Sequence, residues 1–210
     1  GELVLHVSPV LSAPVMTAVT SLCALHPLLR PRVVFSDRHA RPAEDEVDVA
    51  VRLGDIGDDR LVAKKLGGLR FVIVASPGYL ARRGTPRAPD EVRAHDVVAF
   101  AGPRGALHPW RVGGEIVDVA ARVVVDSGIA LPEAALCGLG LVHCFDFMVA
   151  AHVKAGRLVR LFADRDNDQR DVHSVTTTAK ARTRGVRATV EALQRAFAPD
   201  GWANAQGDAV

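Results

Sequence analysis

Residues 69–80 read LRFVIVASPGYL, and the prediction of the fold starts from this stretch. Its apolar run FVIVA, at 71–75, is β-branched and too short for a helix, which predicts a buried strand. Ser76 and Pro77 follow at once, and a capping hydroxyl before a proline is typical of a helix start. A strand that ends at a helix N-terminus places free N–H donors at the carboxyl edge of a sheet. The stretch therefore predicts an α/β sheet with a ligand crevice beside this strand.

The flanking sequence extends this pattern in both directions. Apolar runs and periodic segments predict strands at 3–7, 32–36, 48–53, 61–66, 97–100, 110–112, 115–117, 122–126, 139–143, 158–161 and 171–178. Capping and proline signals predict helices at 12–27, 76–84, 89–95, 127–136, 146–155 and 186–197, a helical turn at 44–47 and a disordered polar tail from 199. Strands alternating with helices imply parallel strands with helical crossovers.

The predicted elements divide into two Rossmann-like lobes. The first lobe takes residues 1–70 plus 178–210, and the second takes residues 71–177. The chain crosses between the lobes near 71–75 and returns near 172–177. Two crossover strands beside a cleft between lobes predict a hinge that closes on a ligand.

Composition excludes several classes of protein. The net charge of +2 is spread along the chain, so the chain does not look like a DNA-binding module in itself. The three cysteines form no CxxC pair, which favours a reduced, cytoplasmic setting over a disulfide framework. No run reaches membrane-spanning length without charge or proline, so no membrane association is expected. The eight histidines are scattered without an HExxH motif, so we expect no metal and no cofactor.

Six segments in a fixed order are similar to a known family. They are VDVAVRLG (47–54), LVAKKLG (61–67), VIVASPGYLARRGTP (72–86), VVVDSG (123–128), AALCGLGLVHCFDFMVA (134–150) and AGRLVRLF (155–162). Together they resemble the effector-binding domain of LysR-type transcriptional regulators over nearly the whole chain. Where that family often carries an apolar residue and a Leu-Pro pair, this sequence has His143, Cys144 and Phe145. This departure favours an effector that differs from the better-known ones.

The resemblance implies a type-II periplasmic-binding-protein-like fold with two lobes around an effector cleft. It implies a bacterial, non-enzymatic sensor of a small anionic or aromatic metabolite, which forms a homodimer or tetramer and binds DNA only through an N-terminal winged helix-turn-helix that this chain lacks. The expected effector contacts are Ser8, Pro9, Val10, Arg52, Ser76, Phe100, Asp126, Ser127, His143 and Asp146. The expected dimer contacts, from two helices that pair between copies, are Val15, Ala18, Val19, Leu22, Leu131, Ala134 and Ala135.

Several of these residues have a second interpretation. Ser8, Ser76 and Ser127 either contact the effector or only cap helices. Arg52 suits a ligand carboxylate, but a structural pair with Asp37 or Asp48 explains it equally well. Asp126 either binds a polar group of the effector or ties the lobes together. The apolar dimer residues equally fit an intramolecular core.

Two other functions are compatible with the sequence. One is a solute-binding protein of a transporter with the same fold, which would need a leader peptide. The other is a thiol-dependent hydrolase that uses Cys144 with His143 and Asp146. The second is disfavoured because neighbours on a strand point to opposite faces, so His143 cannot readily reach the thiol.

Overall fold

The structure is a computed structural model and describes residues 1–37, 46–54, 56–58, 60–102, 105–165 and 169–198. Its strands are β1 (Glu2–Val7), β2 (Arg30–Phe35), β3 (Val49–Leu53), β4 (Leu61–Ala75), β5 (Val97–Phe100), β6 (Trp110–Val112), β7 (Glu115–Val117), β8 (Ala121–Val125), β9 (Leu141–Phe145), β10 (Val159–Leu161) and β11 (Gln169–Thr177). Its α-helices are α1 (Ser12–Leu25), α2 (Pro77–Arg83), α3 (Ala130–Leu136), α4 (Asp146–Lys154) and α5 (Arg184–Ala196). The predicted turn at 44–47 falls largely outside the described residues, and so does the tail from 199.

The chain forms two compact units, Gly1–Gly68 with Arg170–Val210, and Leu69–Gln169. In the first unit the strand order is β2-β1-β3-β11-β4. Strand β1 runs parallel to β2 and β3, whereas β11 runs antiparallel to β3. Helices α1 and α5 pack against each other. The predicted lobe bounds, 1–70 plus 178–210 and 71–177, stay a prediction.

The second unit is built on the apolar run FVIVA at 71–75. Its strand order is β4-β9-β5-β8, and β10 also pairs with β4. Strand β5 is parallel to β8 and β9, while β4 is antiparallel to β9. Side chains of the run alternate between two cores: Ile73 and Ala75 join Trp110, whereas Val72 and Val74 lie on the opposite face of the sheet. This two-sided burial explains why the run is continuously apolar.

Two local predictions are wrong. The strands predicted at 61–66 and 71–75 form one continuous strand, in which Gly67 and Gly68 lie within the strand and not in a turn. The carbonyl of Phe197 lies 3.1 Å from where a Cβ on Gly67 would stand, so glycine here permits the close approach of another backbone segment. Ser127 does not cap a helix with its side chain: α3 begins at Ala130, after a turn in which the Ala130 N–H donates to the Ser127 carbonyl at 3.2 Å. The predicted glycine hairpin between β6 and β7 is confirmed, with positive φ at Gly113 and Gly114.

Among the described residues, no helix combines the length and apolar character that crossing a bilayer requires.

Candidate functional site

A cluster of aromatic and imidazole rings lies in the second unit at the end of β9. We call it the aromatic–imidazole cluster, and its members are Phe71, His108, Trp110, His143, Phe145 and Phe147. Phe71 is its centre: its ring lies 4.6 Å from that of His143, nearly parallel, and 4.3 Å from that of Phe145. The ring of His108 meets Phe71 edge-on at 4.7 Å. Ring pairs at these distances add attraction beyond simple burial.

Strand register explains how the rings come together. Phe71 in β4 lies directly opposite Phe145 in β9, and His143 lies opposite Ile73. Residues two apart on a strand share a face, so Phe71 contacts His143 diagonally. Phe100 ends β5, and its carbonyl accepts a hydrogen bond from the His108 N–H at 2.9 Å. That bond places the His108 ring beside the other rings.

Some members of the cluster are buried and others are half-buried, and we call the half-buried pair, His108 and Phe147, its rim. Only 5% of His143 and 1% of Trp110 is exposed to solvent, whereas His108 and Phe147 are half-buried. Asp146, the first residue of α4, accepts a hydrogen bond from the Phe147 N–H at 2.7 Å through Oδ1. The cluster thus combines flat apolar rings with two imidazole rings, of which that of His108 is half-buried, and this combination suits contact with a planar molecule.

Ser76 lies at the start of α2, where the sequence predicted a cap. Its Oγ accepts a hydrogen bond from the Tyr79 N–H at 3.3 Å, and the residue is 9% exposed. The predicted cap is therefore confirmed, and an additional role in effector contact stays a prediction. Asp126 and Ser127 follow β8, and their contact with the effector stays a prediction.

The Ser76 cap gives a testable stability effect. We expect Ser76→Ala to lower the free energy of unfolding by about 1 kcal/mol, because the Tyr79 N–H loses its acceptor in a buried place. Urea unfolding measures it, and Ser21→Ala serves as control because Ser21 is exposed within α1. An equal loss in both variants would contradict the capping role.

In the first unit the predicted effector residues occupy two places. The hydroxyl of Ser8 donates to Oδ1 of Asp37 at 2.6 Å, and Pro9 and Val10 lie in the following 3₁₀ turn, with Val10 buried. Arg52 lies in β3 and is half-buried. Burial lowers the pKa of its guanidinium, and the nearby carboxylate of Asp58 acts in the opposite direction.

The two carboxylates proposed as alternatives for Arg52 have other partners. Asp37 accepts from Ser8, and Asp48 accepts from the Val4 N–H at 2.8 Å and forms an ion pair with Lys180 at 3.2 Å. Asp58 is the carboxylate whose charge acts on Arg52.

The predicted dimer residues are already buried within single units. On α1, Val15 is 0% exposed and Leu22 is 1% exposed; on α3, Ala135 is 0% exposed and Leu131 is 4% exposed. Ala18, Val19 and Ala134 are buried too. Intramolecular packing, the alternative interpretation, therefore accounts for these side chains, and their contact with a partner stays a prediction.

Cys144 lies on the face of β9 opposite to His143, packed among Val72, Val74 and Val142. Burial, with a smaller contribution from Asp146, raises the pKa of its thiol to about 12. Such a thiol is protonated at neutral pH and is a poor nucleophile. Within the described residues, no three His, Cys, Asp or Glu side chains group as metal ligands.

Sequence reasoning missed Phe71, His108, Trp110 and Phe147 as site residues. The signal for Phe71 was present, because any β4–β9 pairing that places Phe71 opposite Phe145 also brings it beside His143. His108 and Trp110 carried no such signal, since His108 lies outside the helices and strands and Trp110 begins β6, a strand of a separate hairpin.

Two α/β units joined by long strands are the architecture of periplasmic-binding-protein-like domains. The LysR substrate binding domain family matches residues 1–198, and the chain belongs to this family. The predicted resemblance and fold class are thereby confirmed.

The chain is similar to the regulator CrgA both in sequence and in structure. The HTH-type transcriptional regulator CrgA of Neisseria meningitidis serogroup B is 33% identical over 147 residues, which cover 69% of this chain and 49% of that protein. The solved regulatory domain of CrgA, described as a LysR-type transcriptional regulator, has a TM-score of 0.82 at 28% identity and covers 92% of this chain and 97% of that one. The chain thus spans about half the length of the curated relatives it matches.

A more distant structure has the same fold. The effector domain of the transcriptional regulator AmpR of Pseudomonas aeruginosa has a TM-score of 0.77 at 18% identity and covers 99% of this chain. At this identity the likeness shows the fold alone, and the family match over residues 1–198 is what identifies the chain as the effector-binding domain of a LysR-type transcriptional regulator.

Proposed function

We propose that this domain senses a small anionic or aromatic metabolite and controls a DNA-binding part located elsewhere in a bacterial regulator. The observation that carries the proposal is the family match over residues 1–198, together with the similarity to the CrgA regulatory domain over 97% of its length. An effector that binds one state of the domain more tightly shifts the population toward that state. The predicted capture of the effector between lobes, the lobe closure and the cytoplasmic location stay predictions.

The aromatic–imidazole cluster supports an effector with a flat ring or a conjugated group. Its half-buried rim, His108 and Phe147, offers ring faces. Aromatic faces attract flat ligands through offset or edge-on contacts. Phe100, at the end of β5, packs its half-buried side chain against the core on the opposite face of the sheet, so its predicted effector contact stays a prediction.

Arg52 supports an acidic group on the effector. Burial disfavours the charged form of the Arg52 guanidinium, and a further carboxylate beside it would stabilise that charged form. The planar guanidinium can bind a carboxylate through two parallel hydrogen bonds. The turn from Ser8 to Val10 precedes α1, and the Ser8 hydroxyl oxygen can accept a hydrogen bond while its proton is donated to Asp37. We therefore propose an organic acid as effector.

We also propose that the domain pairs with a second copy through α1 and α3, in line with the family resemblance. Because the inward residues are buried, the outward ones would carry the contact. On α1 these include Met16, which is 45% exposed, and next to α3 they include Ile129, which is 53% exposed.

A thermal-shift screen with aliphatic and aromatic carboxylates tests the effector proposal. We expect at least one carboxylate to raise the midpoint of unfolding, and Arg52→Met to weaken its binding at least tenfold. Arg32→Met is the matched control, because Arg32 is an exposed arginine on a strand of the same unit and should leave binding unchanged. Stabilisation by cations or neutral sugars alone would contradict an organic acid.

A further inference from the structure

Two leucines at the end of α1 are strongly exposed. Leu25 is 65% exposed and Leu28 is 85% exposed. Single exposed leucines are common on protein surfaces, so exposure alone gives these two no role. What distinguishes this pair is its position beside the first residue of the chain.

The turn that carries the leucines is fixed on both sides. The His26 N–H donates to the Leu22 carbonyl at 2.9 Å, and the Leu29 N–H donates to the His26 carbonyl at 2.9 Å. Leu29 points the other way, with its Cδ1 facing Gly185 at the start of α5. Leu25 and Leu28 are therefore held outward by an ordered turn.

The start of the chain is hydrogen-bonded to this same turn. The nitrogen of Gly1 donates to the Leu28 carbonyl at 2.9 Å, and the Arg30 N–H donates to the Gly1 carbonyl at 2.9 Å. Among the described residues beyond its chain neighbour, none comes within 4 Å of the place where a Cβ on Gly1 would stand. In a longer polypeptide, an ordinary backbone amide would make the first bond, and the residues before Gly1 would leave beside Leu28.

We propose that, in the full regulator, the polypeptide that leads into Gly1 packs apolar side chains onto Leu25 and Leu28. This inference rests on the proposed function, in which a DNA-binding part precedes this domain. A preceding segment of about seven residues would span about 10 Å if helical, so apolar residues three or four apart within it reach both leucines. The contact fixes the direction in which the DNA-binding part leaves the first unit.

Cysteine labelling tests the contact. Leu28→Cys is introduced into a chain whose exposed Cys23 and Cys137 are replaced by serine, in the full regulator and in the 210-residue domain. We expect a maleimide to label the domain quickly and the full regulator at least tenfold more slowly. Ile116→Cys is the control, because Ile116 is 65% exposed on the hairpin of the second unit and should react equally in both proteins.

Three outcomes decide the inference. Slow labelling that persists on dilution supports packing within one chain. Equal labelling of Leu28→Cys in the two proteins overturns it, and protection that disappears on dilution overturns it by assigning the face to a second copy. Operator binding by the full regulator is measured separately: its absence refutes the proposed function, whereas binding with equal labelling refutes only this contact.

Discussion

Cys144 is expected to react with a disulfide reagent at pH 8 about a thousandfold more slowly than an exposed thiol of ordinary pKa, because the thiolate is the reacting species. Burial raises the pKa of this thiol to about 12, so its thiolate is scarce at pH 8. Cys23 and Cys137 are exposed and should react at once. A time course of thiol release should therefore show two fast thiols, and the third only after unfolding in urea.

Single substitutions show which cysteine gives the fast and which gives the slow reaction in the time course. Cys144→Ser should remove only the slow thiol, whereas serine at Cys23 and Cys137 should remove only the fast ones. A fast third thiol in the folded protein would contradict the buried position of Cys144. It would also support the hydrolase hypothesis, which requires a reactive Cys144. A slow one removes the nucleophile on which that hypothesis depends.

The same raised pKa gives a direction for stability against pH. In the unfolded chain the thiol of Cys144 loses its proton near pH 8.5, whereas in the folded chain it keeps the proton up to a pH of about 12. The unfolded state therefore binds fewer protons in this window, and the contribution of Cys144 to stability falls as the pH rises from about 8.5 toward 12. The Cys144→Ser variant should lose less stability over the same range.

Gly140→Ala is expected to lower the free energy of unfolding by about 3 kcal/mol or more, the upper end of the range for overpacking. A Cβ on Gly140 would overlap the carbonyl oxygen and carbon of Asp96. That carbonyl cannot easily move away, because it accepts from the Leu141 N–H at 2.8 Å and the Asp96 N–H donates to the Tyr79 hydroxyl at 2.9 Å. Urea unfolding at unchanged m-value measures the loss.

Gly156→Ala is the matched control for this substitution. Gly156 also has a positive φ, of 69°, but apart from its chain neighbours none of the described residues comes within 4 Å of its Cβ position. The loss in free energy of unfolding caused by Gly156→Ala should be limited to backbone strain, about 1 kcal/mol. Similar losses in the two variants would show that strain, and not the overlap with Asp96, decides the effect at Gly140.

The sequence alone determined those features that depend on residues close together along the chain. The apolar run at 71–75 predicted a buried strand, Ser76 and Pro77 predicted the helix that follows, and both are confirmed in β4 and α2. Local signals suffice here because burial period and capping are set by neighbouring residues. The family also followed from the sequence, because six short segments stand in a fixed order.

Which distant side chains meet depends on the packing of the whole chain in three dimensions. The pairing of β4 with β9 places Phe71 beside His143 and turns Cys144 to the opposite face, and no local pattern specifies that register. Burial of Val15 and Leu22 likewise depends on where α5 packs against α1. An apolar helical stripe looks the same in sequence whether it faces its own core or a second copy. The neighbour that covers it distinguishes the two, and the fold supplies that neighbour.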